Sequence, residues 1–574
     1  MNDKKGMRKG LTQYGDAEFS LYLRKVFIKA MGYSDDALER PVIGIANTFS
    51  DFNSCHANVP QIVKAVKRGI MLAGGLPMEF PTISLHEAFS NPTSMYLRNL
   101  MSMDTEEMLR ALPMDACVLI GGCDKTVPAQ LMAAAAADVP AISVVTGPML
   151  SGTHIGERVG ACTDCRRLWG EFRGGRIDRD EISEITNRLA PTAGTCGVMG
   201  TASTMACITE SLGMMLPGGA TIPTVNADRL RHAEAAGAQS LKLAENGLLP
   251  STIMTPAAFE NALRVLLAIG GSTNGIVHLA AVAGRLGIEI DMEAFDRMGV
   301  DTPVLVDIKP TGRFYMDDLH KAGGIRAILR ELKPLLNLDC LTVGGQTLGE
   351  QIDGYTETFE QDVIRPLNNP IHSGGGIAFL KGNLAGDGAI IKQSACSTDL
   401  LVHTGRAVVF DSLADMSERI DDPDLDVTKD DVLILRNAGP KGAPGMPEAG
   451  YLPIPKKIAA QGIKDMVRMS DCRMSGTAFG TIILHSTPEA AVGGPLAFVE
   501  TGDTIHLDVP NRSLTMDVSE EELERRRANW SPPDTVKAEF GYRKLYMEHA
   551  TQADQGVDFD FMIRPYTRKT PLNA

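Results

Sequence analysis

From Pro41 onward, short apolar runs alternate with longer segments in which apolar residues recur every three or four positions. The apolar runs are PVIGIA, FPTISL, DACVLIGG and PAISVVTG; between them lie NVPQIVKAVKRGIMLAGG, PTSMYLRNLMSMDTEEMLRAL and PAQLMAAAAAD. Unbroken apolar runs suit strands buried on both faces, and the intervening segments are long enough for helices. The pattern therefore predicts βαβ units around a largely parallel sheet, an α/β fold. It continues to about residue 370, with a helix-rich stretch over 177–290. The glycine-rich IHSGGGIAFLKGNLAGDGA, Ile371 to Ala389, marks a boundary. Its Gly374–Gly376 reads as a hinge, because the Lys and following Ser or Thr of a phosphate loop are missing. Beyond it, RAVVFD, DVLILRN, GTIILHS, PLAFVETGDTIHLDV and RSLTMDV, spaced by Gly, Pro and Asp turns, predict a β-rich, barrel-like second domain. The expected domains are thus 1–370 and 385–574, the second ending in a surface-hugging tail with EEELERRRANW as a charged helix.

A length of 574 residues suits more than one core. The formal charge of −15, with no basic run, argues against nucleic acid or an anionic membrane surface as partner and favours a small molecule. MNDKKGMRKGLTQYGD carries positive charge with no apolar stretch behind it, so no signal or transit peptide is expected. No segment is apolar for long enough to span a bilayer. A cytoplasmic location is expected, where the ten cysteines would stay reduced.

Loops after the strands of a parallel sheet gather on one edge, where ligands bind. The first strand delivers NTFSDFNSCHAN with Cys55, the second HEAFSNP with Glu87, and the third Cys123, Asp124 and Lys125. Alone, the Cys-Asp-Lys tripeptide reads as a strand-to-loop turn with a half-buried thiol and a solvated ion pair. A fourth segment, PTAGTCGVMGTASTMACITESLGMMLPG, sets Cys196 ahead of a small-residue helix whose exposed N–H groups favour an anion. Three cysteines from separate loops, none in a CxxC pair, fit an iron–sulfur cluster with an open iron better than a closed zinc site. Cys162 and Cys165 form a single CTDC pair, which without a second pair reads as no metal site. Cys117 and Cys207 read as core, and Cys340 and Cys396 have no ligand pattern nearby. His56 reads equally well as packing or as a substrate contact.

NTFSDFNSCH, GGCDKTVPA, GTCGVMGTASTMACITESLG, GGSTNGIVHL, GNLAGDGA, GPKGAPGMPE and SDCRMSGTAFG, spread over nearly the whole chain, resemble the dihydroxy-acid dehydratase/6-phosphogluconate dehydratase family, which includes the aldonate dehydratases. The resemblance implies loss of water from a 2,3-dihydroxy acid, giving an enol that tautomerises to a 2-keto acid. It implies that Cys55, Cys123 and Cys196 hold a cluster whose open iron acts on the C3 hydroxyl. It further implies a Mg²⁺ held by Glu87, Asp124, Glu448 and a carbamylated Lys125, facing the substrate carboxylate and C2 hydroxyl. Three cysteines serve either a [2Fe–2S] or a [4Fe–4S] cluster; the [2Fe–2S] form is expected, as is a homodimer or homotetramer. The same resemblance makes Ser475 the base at C2, with Lys125 the second catalytic residue. Without it, the segment around Ser475 reads as a turn between a strand and a helix. A serine base needs a neighbouring cation or charge stabilisation in a dry site. Where many relatives have Gly or Ala, this chain has Cys472 beside Asp471, a spare thiol close to the site. LHEAFSNP and RNLMSMDTEEM are similar to the sugar-acid members, so a pentonate or hexonate going to its 2-keto-3-deoxy acid is the expected reaction. A branched-chain dihydroxy acid is the alternative substrate. A non-catalytic iron–sulfur redox protein is the remote alternative, since it has no use for the oxygen ligands or Ser475.

Overall fold

The apolar run after Pro41 becomes strand Val42–Asn47, buried except at its last residue. It pairs in parallel with Leu76–Pro81 on one side and Ala116–Gly121 on the other, and Ala141–Val145 completes a four-stranded parallel sheet. The structure, a computed structural model, describes residues 5–571. The second strand lies earlier than FPTISL suggested. Its last ladder partner is Pro81, opposite Asn47, and Thr82 N–H still donates to the Asn47 carbonyl at 3.0 Å. Ile83 to Leu85 then leave the sheet toward Glu87, held by Asn53, whose Nδ2 donates to the Leu85 carbonyl at 2.9 Å.

The crossover helices are Val59–Ala73, Ser94–Ala111 and Thr126–Ala137, as the periodicity predicts. Behind them, Thr201–Ser211, Pro256–Ala268 and Asn274–Gly284 are buried on almost every side, the pattern of helices surrounded by protein. The helix-rich reading of 177–290 agrees with this layer.

The second domain is a closed eight-stranded barrel. Around it run Val402–Phe410, Val432–Leu435, Arg468–Ser470, Ile482–Thr487, Ala385–Ile391, Ala378–Gly382, Ser513–Met516 and Thr504–Asp508. The hairpin of Ala378–Gly382 and Ala385–Ile391 comes from the stretch read as a boundary. The barrel thus begins at Ala378, and a domain starting at 385 would split that hairpin. Its glycines conceal the alternation, but Ala378, Leu380, Ala385, Ala389 and Ile391 are all buried in the barrel core. Arg468–Ser470 is too short to show a pattern, and within PLAFVETGDTIHLDV only Thr504–Asp508 is strand.

The tail departs from expectation after its charged helix. Glu520–Asn529 buries only Leu523. Farther on, Tyr546, Val557, Asp558 and Phe559 are buried, and Arg568–Thr570 pairs in parallel with Ile288–Ile290 of the first domain. Among the described residues, no helix is long and apolar enough to cross a membrane.

Candidate active site

The sheet edge and two barrel loops meet at a cluster of carboxylates. Ligand oxygens of Glu87, Asp124 and Glu448 all lie within 4.8 Å of one another. Lys125 is fully buried among them, its Nζ paired with Asp124 and 3.8 Å from Glu87. Arg473, also buried, donates to Glu448 at 2.7 Å, to Glu87 at 3.1 Å and to Thr93 Oγ1 at 2.9 Å. Thr93 and Ser94, at the start of their helix, donate hydroxyls to Glu87. Burial would raise Glu87, but Arg473 and Lys125 outweigh it and hold the carboxyl well below its usual range. At Glu448 burial wins over Arg473, and the carboxyl is raised. A compact set of oxygen donors such as this suits a hard divalent cation.

Glu448 arrives on the loop GPKGAPGMPE because Gly445 lets that loop lie against the helix from Ser94. Gly445 has φ +87°, and a Cβ there would sit 2.5 Å from Tyr96 Cβ. Asp471 accepts from the N–H groups of Ala438 and Ala490 at 3.0 and 2.9 Å, tying the loop's root to the barrel. Cys472, read as a spare thiol, is buried and donates to the Pro447 carbonyl, beside Glu448. Burial pushes its pKa up to about 12.

The thiols form a second group on the same edge. Cys123 Sγ donates to Asp124 Oδ1 at 3.3 Å, so one turn touches both groups. Cys55 lies against the turn of Cys123, where a Cβ on Gly122 would meet the Cys55 carbonyl at 3.1 Å; the neighbouring Cys123 thiol lowers the pKa of Cys55, and Cys55 raises that of Cys123. Cys196 lies 3.2 Å from Cys162, Sγ to Sγ, and senses the charge of Cys55. Donors of this kind, from separate loops, fit the soft iron of an iron–sulfur group. His56 is resolved as a brace: its Nε2 accepts from the N–H groups of Gly122 and Cys123 at 3.1 Å each, and its Nδ1 faces the Thr48 carbonyl at 2.8 Å. Burial lowers its pKa to about 4, so the ring is neutral and can accept.

Ser475 stands on the barrel loop after Arg468–Ser470, with its Oγ 2.8 Å from Thr477 Oγ1. Three contacts seat this loop on the first domain. Asn274 Nδ2 donates to the Met474 carbonyl at 3.0 Å. Thr163 Oγ1 donates to the Thr477 carbonyl at 2.9 Å. Gly476 lies so close that a Cβ would sit 2.5 Å from Ser272 Cβ and 2.9 Å from Thr201 N. Thr201 opens the helix that follows Cys196, so Ser475 is held beside the thiol segment.

The family described as dihydroxy-acid/6-phosphogluconate dehydratase matches with its N-terminal part over residues 40–351 and its C-terminal part over 362–557. The chain belongs to the dihydroxy-acid/6-phosphogluconate dehydratase family. Among relatives, it is 45% identical over 552 residues to an L-arabinonate dehydratase of Rhizobium leguminosarum bv. trifolii, covering 96% of this chain and 95% of the relative. It is 44% identical over 531 residues to a 6-deoxy-6-sulfo-D-gluconate dehydratase of Pseudomonas putida, covering 92% and 91%. A dihydroxy-acid dehydratase of Lachnoclostridium phytofermentans is 40% identical over 536 residues, covering 92% and 95%.

In this dehydratase-family chain the structure brings together Glu87, Asp124, Lys125 and Glu448, and separately places Cys55 beside Cys123. Sequence reasoning missed three neighbours. Arg473 lies inside SDCRMSGT, but nothing marks it as the counter-ion of two glutamates that come from different domains. His86, beside Glu87, interacts with the Cys55 thiol; burial lowers its pKa, but Cys55 outweighs this and raises it. Cys162 of CTDC, read as no metal site, lies against Cys196, while Cys117 and Cys207 are core as expected.

Proposed function

We propose that this chain dehydrates a sugar acid, a pentonate or hexonate, to its 2-keto-3-deoxy acid. The supporting observation is the single turn Cys123-Asp124-Lys125, which joins a thiol group to a carboxylate group within 3.3 Å. The relatives named for arabinonate and sulfogluconate support the substrate class. In this reading Cys55, Cys123 and Cys196 hold an iron–sulfur group, [2Fe–2S] in form, and Glu87, Asp124, Glu448 and a carbamylated Lys125 hold Mg²⁺. When bound, these groups supply a Lewis acid for the leaving C3 hydroxyl and an anchor for the carboxylate and C2 hydroxyl.

The chain's own residues do the rest. Carbamylation would replace the Lys125 cation with an anionic oxygen ligand. Arg473, in contact with both glutamates, and Arg166, 3.7 Å from Glu448, would then face three carboxylates and the carbamate, an imbalance that a divalent ion corrects. Arg473 holds Glu87 and Glu448 side by side. Ser475 Oγ, as the alkoxide, takes the C2 proton and returns to the hydroxyl; the Thr477 hydroxyl, 2.8 Å away, can donate to that oxygen, and the buried surroundings strengthen charge stabilisation there.

The test is an anaerobic assay of 2-keto acid formation on freshly reconstituted enzyme, with C5 and C6 aldonates beside 2,3-dihydroxyisovalerate. A pocket with partners for the distal hydroxyls should disfavour the branched acid by a factor of up to about 10⁴ in kcat/KM. At least one aldonate is expected to lead. Should the branched acid outrun every aldonate, the substrate is that of the dihydroxy-acid dehydratases, and no keto acid from any substrate would remove the reading altogether.

A further inference from the structure

The iron–sulfur reading uses three cysteines, yet four sulfurs converge. Cys162 Sγ stands 3.2 Å from Cys196 Sγ, and Cys55 lies against the turn of Cys123, where a Cβ on Gly122 would meet the Cys55 carbonyl at 3.1 Å. Four cysteines from four segments match the Cys₄ set that holds a [2Fe–2S] cluster. We propose that Cys162 is a fourth, exchangeable thiolate ligand of the iron–sulfur group, completing its coordination when no substrate is present. This rests on the iron–sulfur part of the proposed function.

The fold gives Cys162 a different mechanical setting from Cys55 and Cys123. Cys55 and Cys123 follow strands of the central sheet and are buried. Cys162 precedes helix Thr163–Arg173, in a small unit with Arg179–Leu189 and the hairpin Gly152–His154/Glu157–Val159. That unit has its own small core of Val159, Leu168, Ile185 and Leu189, separate from the main one. Polar links hold it to the rest: Lys309 to Asp164 at 3.0 Å, Arg158 to Asp318 at 2.8 Å, and Arg173 to Asp421 at 2.6 Å. A unit joined this way can shift without opening the main core.

Two further contacts fit exchange. Cys165 stands one helical turn on, in the first turn of Thr163–Arg173, and offers the released sulfur a resting partner. Thr163, next to Cys162, bonds to Thr477 in the loop of Ser475, so substrate arriving at Ser475 perturbs the segment that carries Cys162. A fourth thiolate would also shield an otherwise open iron from oxygen.

The experiment compares wild type with Cys162→Ser and Cys162→Ala after anaerobic reconstitution. Iron per chain, electron paramagnetic resonance of the reduced state and resonance Raman of the Fe–S stretches are measured without substrate. The variants should keep iron, show a shifted spectrum and bleach several-fold faster in air. Mössbauer spectra of wild type with ⁵⁷Fe need no variant: substrate-free protein should show both irons in all-sulfur surroundings, and a saturating aldonate should make one distinct. Identical spectra and bleaching in wild type and variants, or one distinct iron already present without substrate, would overturn the fourth ligand while leaving the three-cysteine reading intact. Wild type that binds no iron would remove both.

Discussion

In the proposed reaction Ser475 is the base at C2, so its removal should act on turnover and not on assembly. Ser475→Ala is expected to lower kcat and kcat/KM together by about 10²–10⁴, with iron content and Mg²⁺ affinity at wild-type values; steady-state kinetics beside metal analysis checks this. A second residue-scale effect concerns acid stability. Burial pushes His232 down to about 4 and His485 to about 3, and both ring nitrogens of His485 are without a partner. Their folded pKa values lie below that of an exposed histidine, so the unfolded chain binds more protons through this window. The stability they contribute is present above about pH 6.5 and is lost as pH falls toward 4 and 3. Urea unfolding between pH 4 and 7 should show a slope that flattens in His485→Gln.

At the scale of elements, the loop from Asp471 to Thr477 shows how closely two domains are fitted. Gly476→Ala would place a methyl group against Ser272 and the backbone of Thr201, and the loop must move away. A displacement of about 1 Å at a reacting group can cost about 10² in rate. The variant should therefore keep its unfolding midpoint near wild type while kcat/KM falls by about that factor. Elements themselves were legible where one periodicity prevailed. The helix Val59–Ala73 and the strand Ala116–Gly121 follow their apolar patterns closely. The hairpin Ala378–Ile391 was hidden because alanines and glycines carry little hydrophobic contrast, although tight barrel packing calls for small residues there.

At the scale of the molecule, the closing segment locks the two halves together. Arg285 donates to both oxygens of Asp558 at 2.6 and 2.9 Å and also to Glu106, and Arg285 and Asp558 are fully buried. Arg98 donates to the Gly556 and Val557 carbonyls. Removing Asp558 takes away the bidentate partner of a buried guanidinium and leaves Arg285 with Glu106 alone, so Asp558→Ala should cost up to about 3–5 kcal/mol, read from denaturant unfolding. Replacing Arg285 and Asp558 together by Met and Leu should recover much of that loss, since the half-paired charge is then gone and Glu106 keeps Arg110.

The alternation of buried runs and helical stripes was enough to determine a parallel sheet, its edge, and the delivery of Cys55, Glu87 and Cys123-Asp124-Lys125 to that edge, because these follow from local periodicity. The segments around Glu448 and Ser475 were recognisable only as resembling a family, since nothing local aims a loop across a domain boundary. Only the tertiary structure decided that Arg473 spans Glu87 and Glu448, that His56 braces the turn at Cys123, that Cys472 holds Pro447 and that Cys162 meets Cys196. Each joins segments far apart in the chain, and a contact of that kind is determined by how whole elements pack, which no local pattern encodes.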